Sequence, residues 1–218
     1  MVPLMFAGHA LHPLPEGALW WPSRRALLVA DLHLEKASSY ARGGQMLPPY
    51  DSLETLTRLS TLAEAYACAE IWCLGDSYHE PAGIARLCAQ SRVILARLVE
   101  RCALTWIVGN HDPAIVGVGG RVIAGARVDG IALRHEACPD DRAPEISGHF
   151  HPKLRVSGRG RSVARRCFVC GPGKLVLPAF GALAGGLDVD HPAIRAAVGR
   201  PAAALVPAAG RLLRFELA

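Results

Sequence analysis

Five short runs of aliphatic and β-branched residues each stop at side chains able to bind a metal, and that repetition limits the folds open to this chain. Residues 25–30 (RALLVA) lead into Asp31 and His33, and residues 70–74 (EIWCL) into Gly75 and Asp76. Residues 104–108 (LTWIV) lead into Gly109, Asn110 and His111. Residues 131–134 end at His135, and residues 145–147 lead to His149 and His151. Continuous apolar runs of this length, bounded by Gly and polar residues, read as buried strands. In open α/β folds, ligand sites gather beyond the carboxyl ends of strands. The pattern therefore predicts an α/β fold whose site is assembled from several strand ends.

Helices are predicted between the early strands. Asp51 opens one, with Glu54 three residues on as a capping-box partner, and Leu53, Leu56, Leu59, Leu62 and Tyr66 fall roughly on one face. A second helical region starts near Pro81 and carries Ile84, Leu87, Ile94, Leu95 and Leu98. Val128-Asp129-Gly130 between apolar segments predicts a hairpin. The last third reads as further hairpins over residues 167–169, 174–177, 204–206 and 212–217, with residues 181–186 as a loop.

At 218 residues and 51% hydrophobic positions the chain can bury one ample core, and a single domain over residues 1–218 is expected. No apolar run approaches the roughly 20 residues of a membrane span. The first residues lack the basic flank and cleavage site of a secretory signal. Seven scattered cysteines, an odd number, point to a reducing compartment, so a cytoplasmic location is expected. The net charge of +5 is unevenly placed. Between Ile146 and Leu187 there is no Asp or Glu, yet Lys153, Arg155, Arg159, Arg161, Arg165, Arg166 and Lys174 lie there. Such a segment either grips a polyanion or is a solvated loop.

Asp31, His33, Asp76, Asn110, His111, His135, His149 and His151 are the candidates for chemistry. Carboxylate, carboxamide and imidazole together suit Mn²⁺, Fe or Zn²⁺, while the lack of thiolates among them argues against a structural zinc. Cys167 and Cys170 form a lone CxxC without a partner pair. Asp-x-His and His-x-His at strand ends place both side chains on one face. These are more ligands than one ion needs. Two ions about 3.5–4 Å apart, sharing a bridging carboxylate, suit in-line displacement at phosphorus.

Asp31-Leu32-His33, Gly75-Asp76, Gly109-Asn110-His111-Asp112, His135 and Gly148-His149-Phe150-His151 resemble the five blocks of the calcineurin-like metallophosphoesterases. The resemblance implies a sandwich of two mixed β-sheets flanked by helices. It also implies that Asp31, His33, Asp76 and His151 hold one metal, and that Asp76, Asn110, His135 and His149 hold a second, with Asp76 bridging. His33-Leu34-Glu35-Lys36-Ala37, Leu74-Gly75-Asp76-Ser77-Tyr78-His79, Gly109-Asn110-His111-Asp112-Pro113 and Leu177-Pro178-Ala179-Phe180-Gly181 are similar to the bacterial ligase-associated branch. That branch implies a Mn²⁺-dependent phosphodiesterase acting as a DNA endonuclease, with a DNA ligase, a helicase and an exonuclease as repair partners.

Phosphoprotein phosphatases continue the second block as Gly-Asp-x-x-Asp-Arg-Gly, whereas this chain has Gly75-Asp76-Ser77-Tyr78-His79-Glu80. Without arginine forks for a terminal phosphate, a protein phosphatase is disfavoured. His111 is expected as general acid, Asp112 as the group orienting it, and His79 as a residue facing substrate. Arg155, Arg159, Arg161, Arg165 and Arg166 are expected to grip single-stranded DNA. The alternative is a phosphoesterase for a nucleotide or other small phosphodiester. A non-catalytic module is disfavoured because every ligand position is filled.

Overall fold

Side chains of the central strands alternate between two apolar cores, and this sorts the chain into layers. The computed structural model describes residues 2–115, 119–158 and 160–217. The first sheet contains β1 (Leu4–Phe6), β2 (His9–Pro13), β3 (Leu19–Trp21), β4 (Ala26–Val29), β5 (Glu70–Leu74), β6 (Ala103–Ile107) and β7 (Arg121–Ile123), in that order. Pairing is antiparallel from β1 to β4 and parallel from β4 to β7.

The second sheet begins with β8 (Ala126–Val128), β9 (Ile131–Leu133) and β10 (Glu145–Ser147). A separate antiparallel ribbon, β11 (Lys153–Gly158) and β12 (Arg161–Arg166), follows. The sheet resumes with β13 (Phe168–Gly171), β14 (Lys174–Val176), β15 (Ala202–Ala208) and β16 (Arg211–Leu217). Its order is β16-β15-β13-β14-β10-β9-β8. β10 is parallel to both β9 and β14, and the other pairs are antiparallel, so this sheet too is mixed.

Period-two alternation does the sorting. On β4, Leu28 and Ala26 enter the core between the sheets, while Leu27 and Val29 face the helices. β5 and β6 repeat this, with Trp72, Leu74 and Ile107 inward and Ile71, Cys73, Leu104 and Trp106 outward. The second sheet fills the shared core with Ile131, Ile146, Phe168, Leu175 and Leu205. Leu56, Leu59 and Leu62 of α2 (Asp51–Ala65) and Leu95 and Leu98 of α4 (Ala89–Arg101) cover the first sheet's outer face. Ile194, Ala197 and Val198 of α5 (Pro192–Val198) cover the second's. Each fully buried Leu here contributes on the order of 1.5–3 kcal/mol. The architecture is the expected sandwich of two mixed sheets flanked by helices.

Several local expectations fail for physical reasons. The capping box at Asp51 does not form: Tyr50 is the N-cap, and Asp51 instead accepts a bond from Ala37 N at 3.1 Å. That bond ties α2 to α1 (Lys36–Arg42), a helix the sequence reading did not assign. The helical region after Pro81 is broken into α3 (Gly83–Arg86) and α4, because Leu87 and Cys88 are not helical and Cys88 caps α4 through its sulfur. Most of the basic segment is not a loop: its described arginines and Lys153 lie in the β11–β12 ribbon, and Lys174 opens β14. The hairpin at Asp129-Gly130 is present, both residues having positive φ as a tight two-residue turn needs. Among the described residues no helix is long and apolar enough to cross a membrane.

Candidate metal centre

The loops leaving β4, β5, β6, β9 and β10 bring all seven expected ligands together. Asp31, His33 and His151 offer ligand atoms within 4.8 Å of one another, and so do Asp76, His135 and His149. In the first group, His151 Nε2 lies 3.3 Å from Asp31 Oδ1 and 3.2 Å from His33 Nε2. In the second, His135 Nε2 lies 2.9 Å from Asn110 Oδ1, 3.1 Å from His149 Nδ1 and 3.5 Å from Asp76 Oδ2. That same Asp76 oxygen is 3.9 Å from His33 Nε2, which places it between the groups. Its partner oxygen accepts from His111 N at 2.9 Å.

Proton counting shows what this arrangement needs. His135 Nδ1 is 3.1 Å from Leu74 O, a bond that only Nδ1–H can make, so in the neutral ring that a metal requires Nε2 presents a lone pair. That lone pair faces an amide oxygen and a carboxylate oxygen, both acceptors. Asp31 Oδ1 and His33 Nδ1 are buried without a hydrogen-bond partner. Burial, with His151, His111, Lys36 and His79 adding repulsion, pushes the His33 imidazole down to about 2, so it is held neutral. Converging acceptors of this kind repel one another unless a cation sits among them. The residues fit divalent ions, and the mixed nitrogen and oxygen set suits transition metals.

The backbone is distorted to achieve this. Asp31 (φ 53°), His33 (44°), Asp76 (46°), His149 (72°) and His151 (47°) all occupy the left-handed region. Such residues cost on the order of 1–3 kcal/mol each and persist only where the surroundings over-determine them. Two glycines make room. A β-carbon on Gly109 would collide with Asp76, and one on Gly148 would lie 2.6 Å from Asp31 Oδ2.

The Asp112 carboxylate bonds backbone amides rather than the His111 ring. It is fully buried, and Oδ2 accepts from Ser77 N at 2.6 Å and Tyr78 N at 3.0 Å, while Oδ1 accepts from Gly109 N at 2.9 Å. It ties the β5 loop to the β6 loop, fixing Asp76 against Asn110. Burial raises its acid pKa even though three amide bonds favour the carboxylate. His111 is held instead by His79, whose carbonyl lies 3.0 Å from His111 Nδ1. The two rings stack at 5.1 Å and 27°, and His111 meets His33 edge-on at 5.1 Å. Burial, then His111 and Lys36, lower the His79 pKa.

The Leu177-to-Gly181 motif proves to be a brace. Phe180 N donates to Ala30 O at 2.8 Å and Gly181 N to Asp31 O at 3.2 Å, fastening the end of β4. Arg58 lies 4.5 Å over the Phe180 ring and donates to its carbonyl. Arg166, expected to grip substrate, donates to Phe180 O at 3.3 Å and to Gly181 O at 2.7 Å, so its guanidinium is engaged within the fold. The other expected arginines do not share one surface. By register, Arg155 and Arg166 lie on one face of the ribbon and Arg165 on the other. Arg155 is exposed and 3.8 Å from Asp188. Arg159 lies outside the described residues, and Arg161 is described only through its place in β12.

No protein-family model matches the sequence, and no curated protein matches it. Among solved structures, the nuclease MPE of Pseudomonas putida matches at 31% identity and TM-score 0.74, over 98% of each chain. The chain belongs to the calcineurin-like metallophosphoesterases. Both the two-sheet sandwich and the five ligand-bearing strand ends of this metallophosphoesterase thereby have their explanation. It is a metal-dependent phosphodiesterase, a hydrolase of ester bonds. Two looser matches are vacuolar protein sorting 29 of Cryptosporidium parvum (16% identity, 88% of this chain and 95% of that one, TM-score 0.36) and a conserved predicted phosphoesterase of Streptococcus pneumoniae (13%, 88% and 97%, 0.35). At those TM-scores neither bears on fold or function.

Proposed function

We propose that this metallophosphoesterase cleaves DNA, single strands foremost, with a pair of divalent ions, Mn²⁺ first and Fe or Zn²⁺ as alternatives. The reading rests on one observation above all: full-length likeness to a nuclease, over a site where Asp31, His33 and His151 converge beside Asp76, His135 and His149. Asp31, His33, Asp76 and His151 would hold one ion, and Asp76, Asn110, His135 and His149 the other. When bound, the ions supply the Lewis acidity that activates water and offsets charge on the phosphate.

The chain's own groups do the rest. Leu74 O fixes the His135 tautomer, and Asp112 fixes the two loops that carry Asp76 and Asn110. With His111 Nδ1–H donating to His79 O, the second proton of an imidazolium sits on Nε2. From there it passes to the leaving oxygen, a role typically worth about 10²–10⁴-fold. Exposed Arg155 of the ribbon adds positive charge for the substrate, with Arg165 on the ribbon's other face. A cytoplasmic repair setting, alongside a DNA ligase, a helicase and an exonuclease, belongs to the same reading.

The test is Mn²⁺-dependent nicking of circular single-stranded DNA, with a chelator control and an aryl phosphodiester alongside. Chelator-sensitive nicking together with diester hydrolysis supports the reading. Diester turnover with DNA left intact removes the DNA claim and directs attention to nucleotides and other small diesters.

A further inference from the structure

Two lysines stand beside the metal centre without a counter-ion. Lys36 opens α1, three residues after His33, and Lys153 opens β11, two residues after His151. Both are half-buried, and among the described residues neither has a carboxylate within ion-pair distance. Asp51 attracts Lys36 from beyond ion-pair distance, and one of its oxygens accepts from Ala37 N. Lys153 runs beside the backbone of His151, since a β-carbon on Gly186 would meet both the His151 carbonyl and the Lys153 stem. One lysine enters from the first sheet's loops and the other from beyond the second sheet. The Lys153 stem is held in place, because a β-carbon on Gly186 would meet its Cδ at 3.0 Å and its Cε at 2.8 Å. Half-burying a cation with no carboxylate partner is unfavourable, and an anion placed beside it offsets that cost.

An aromatic row adjoins the pair. Tyr40, one turn along α1 from Lys36, has the ammonium 5.7 Å from its ring centroid. Its ring lies 5.5 Å from His79, which stacks on His111, which meets His33 edge-on. Tyr40 ends the row on the side away from the ligands and is itself only half-buried. A ring beside a cation suits a nucleotide, because every base offers a π face and every link a phosphate. A lone aryl diester offers no second phosphate to the lysines.

We propose that Lys36, Lys153 and Tyr40 form a subsite for the nucleotide next to the scissile phosphate, the lysines taking its phosphate and the Tyr40 ring its base. The subsite rests on the DNA reading above and names how a polynucleotide is told from a small diester.

The experiment compares kcat/KM for a short thymidine oligonucleotide with that for bis(p-nitrophenyl) phosphate. It uses the Mn²⁺-loaded wild type and the variants Tyr40→Ala, Tyr40→Phe, Lys36→Ala and Lys36→Arg. The oligonucleotide-to-aryl ratio should fall about tenfold in Tyr40→Ala, as loss of one stacked base implies, and should be restored in Tyr40→Phe. Lys36→Ala should lower the ratio and reduce the salt slope on single strands by about 0.7, while Lys36→Arg keeps both. If the wild type cuts the oligonucleotide and the ratio is unmoved in Tyr40→Ala and Lys36→Ala, the subsite is refuted and the DNA reading stands. If the wild type hydrolyses only the aryl diester, the DNA reading falls and takes the subsite with it.

Discussion

Replacing Asp112 with Asn removes one charge and one acceptor from the knot that joins the β5 and β6 loops. The side chain is fully buried and accepts three backbone bonds, from Ser77, Tyr78 and Gly109. An Asn can turn its oxygen to Ser77 and Tyr78, but its amide then faces Gly109 N, donor against donor. One bond to a charged acceptor, about 1.5–3 kcal/mol, is lost, and two others fall to neutral strength at about 1 kcal/mol each. Removing a desolvated charge, whose cost is visible in the raised acid pKa, offsets part of this. The net loss should be about 2–4 kcal/mol, a large share of the roughly 5–15 kcal/mol that holds a domain together. Urea unfolding of the metal-free protein measures it directly. Because Asp76 and Asn110 then lose their mutual register, metal affinity should also drop about 10–100-fold, as for other partners of metal ligands. Calorimetric titration with Mn²⁺ reads that effect. If Asp112→Asn unfolds and binds metal like the wild type, the knot is unimportant, and an altered rate alone would restore the view that Asp112 acts on His111.

Three further outcomes are expected. Arg166→Ala should lower the urea midpoint, since Gly181 O loses its donor at about 1–3 kcal/mol and Phe180 O keeps only Arg58, while the salt dependence of DNA cleavage stays as it was; a reduced salt slope at unchanged stability would return this residue to the substrate. Mn²⁺ at one hundred times its dissociation constant should stabilise the protein by about 2.7 kcal/mol, and Asp76→Ala should abolish the gain; differential scanning calorimetry with and without chelator decides. His111→Ala should retain its metal, measured by atomic absorption, yet lose about 10²–10⁴-fold on DNA and much less on p-nitrophenyl esters, whose leaving group needs no proton; loss of metal along with activity would make His111 a ligand.

Much of the site was legible because its signal is local. A buried strand needs a continuous apolar run, and its end needs polar residues, so β5 and β10 match the expected runs at both ends and β4, β6 and β9 within one or two residues. The bonds of Asp112 were hidden for the opposite reason. Its neighbour in sequence is His111, but its partners are amides of Ser77 and Tyr78 more than thirty positions away, and backbone donors leave no mark in side-chain patterns. The basic segment was similarly opaque. Absence of acid shows charge but not register, and it is register that sends Arg155 and Arg165 to opposite faces and Arg166 to the brace. The strands β1 to β3 left no such mark, because no ligand at their ends punctuates them.

Both groups that combine a carboxylate with imidazoles straddle the seam between the sheets. The first sheet's loops supply Asp31 and His33 to one group and Asp76 to the other, while the second sheet's loops supply His151 to the first and His135 and His149 to the second. The second sheet therefore contributes only nitrogen, and every carboxylate comes from the first. A hard, oxygen-seeking ion such as Mg²⁺ would engage one sheet and leave the other's imidazoles idle. Only an ion content with both donor types would rivet the two halves of the sandwich together, so the choice of metal would also set how firmly the sheets are shut at this edge.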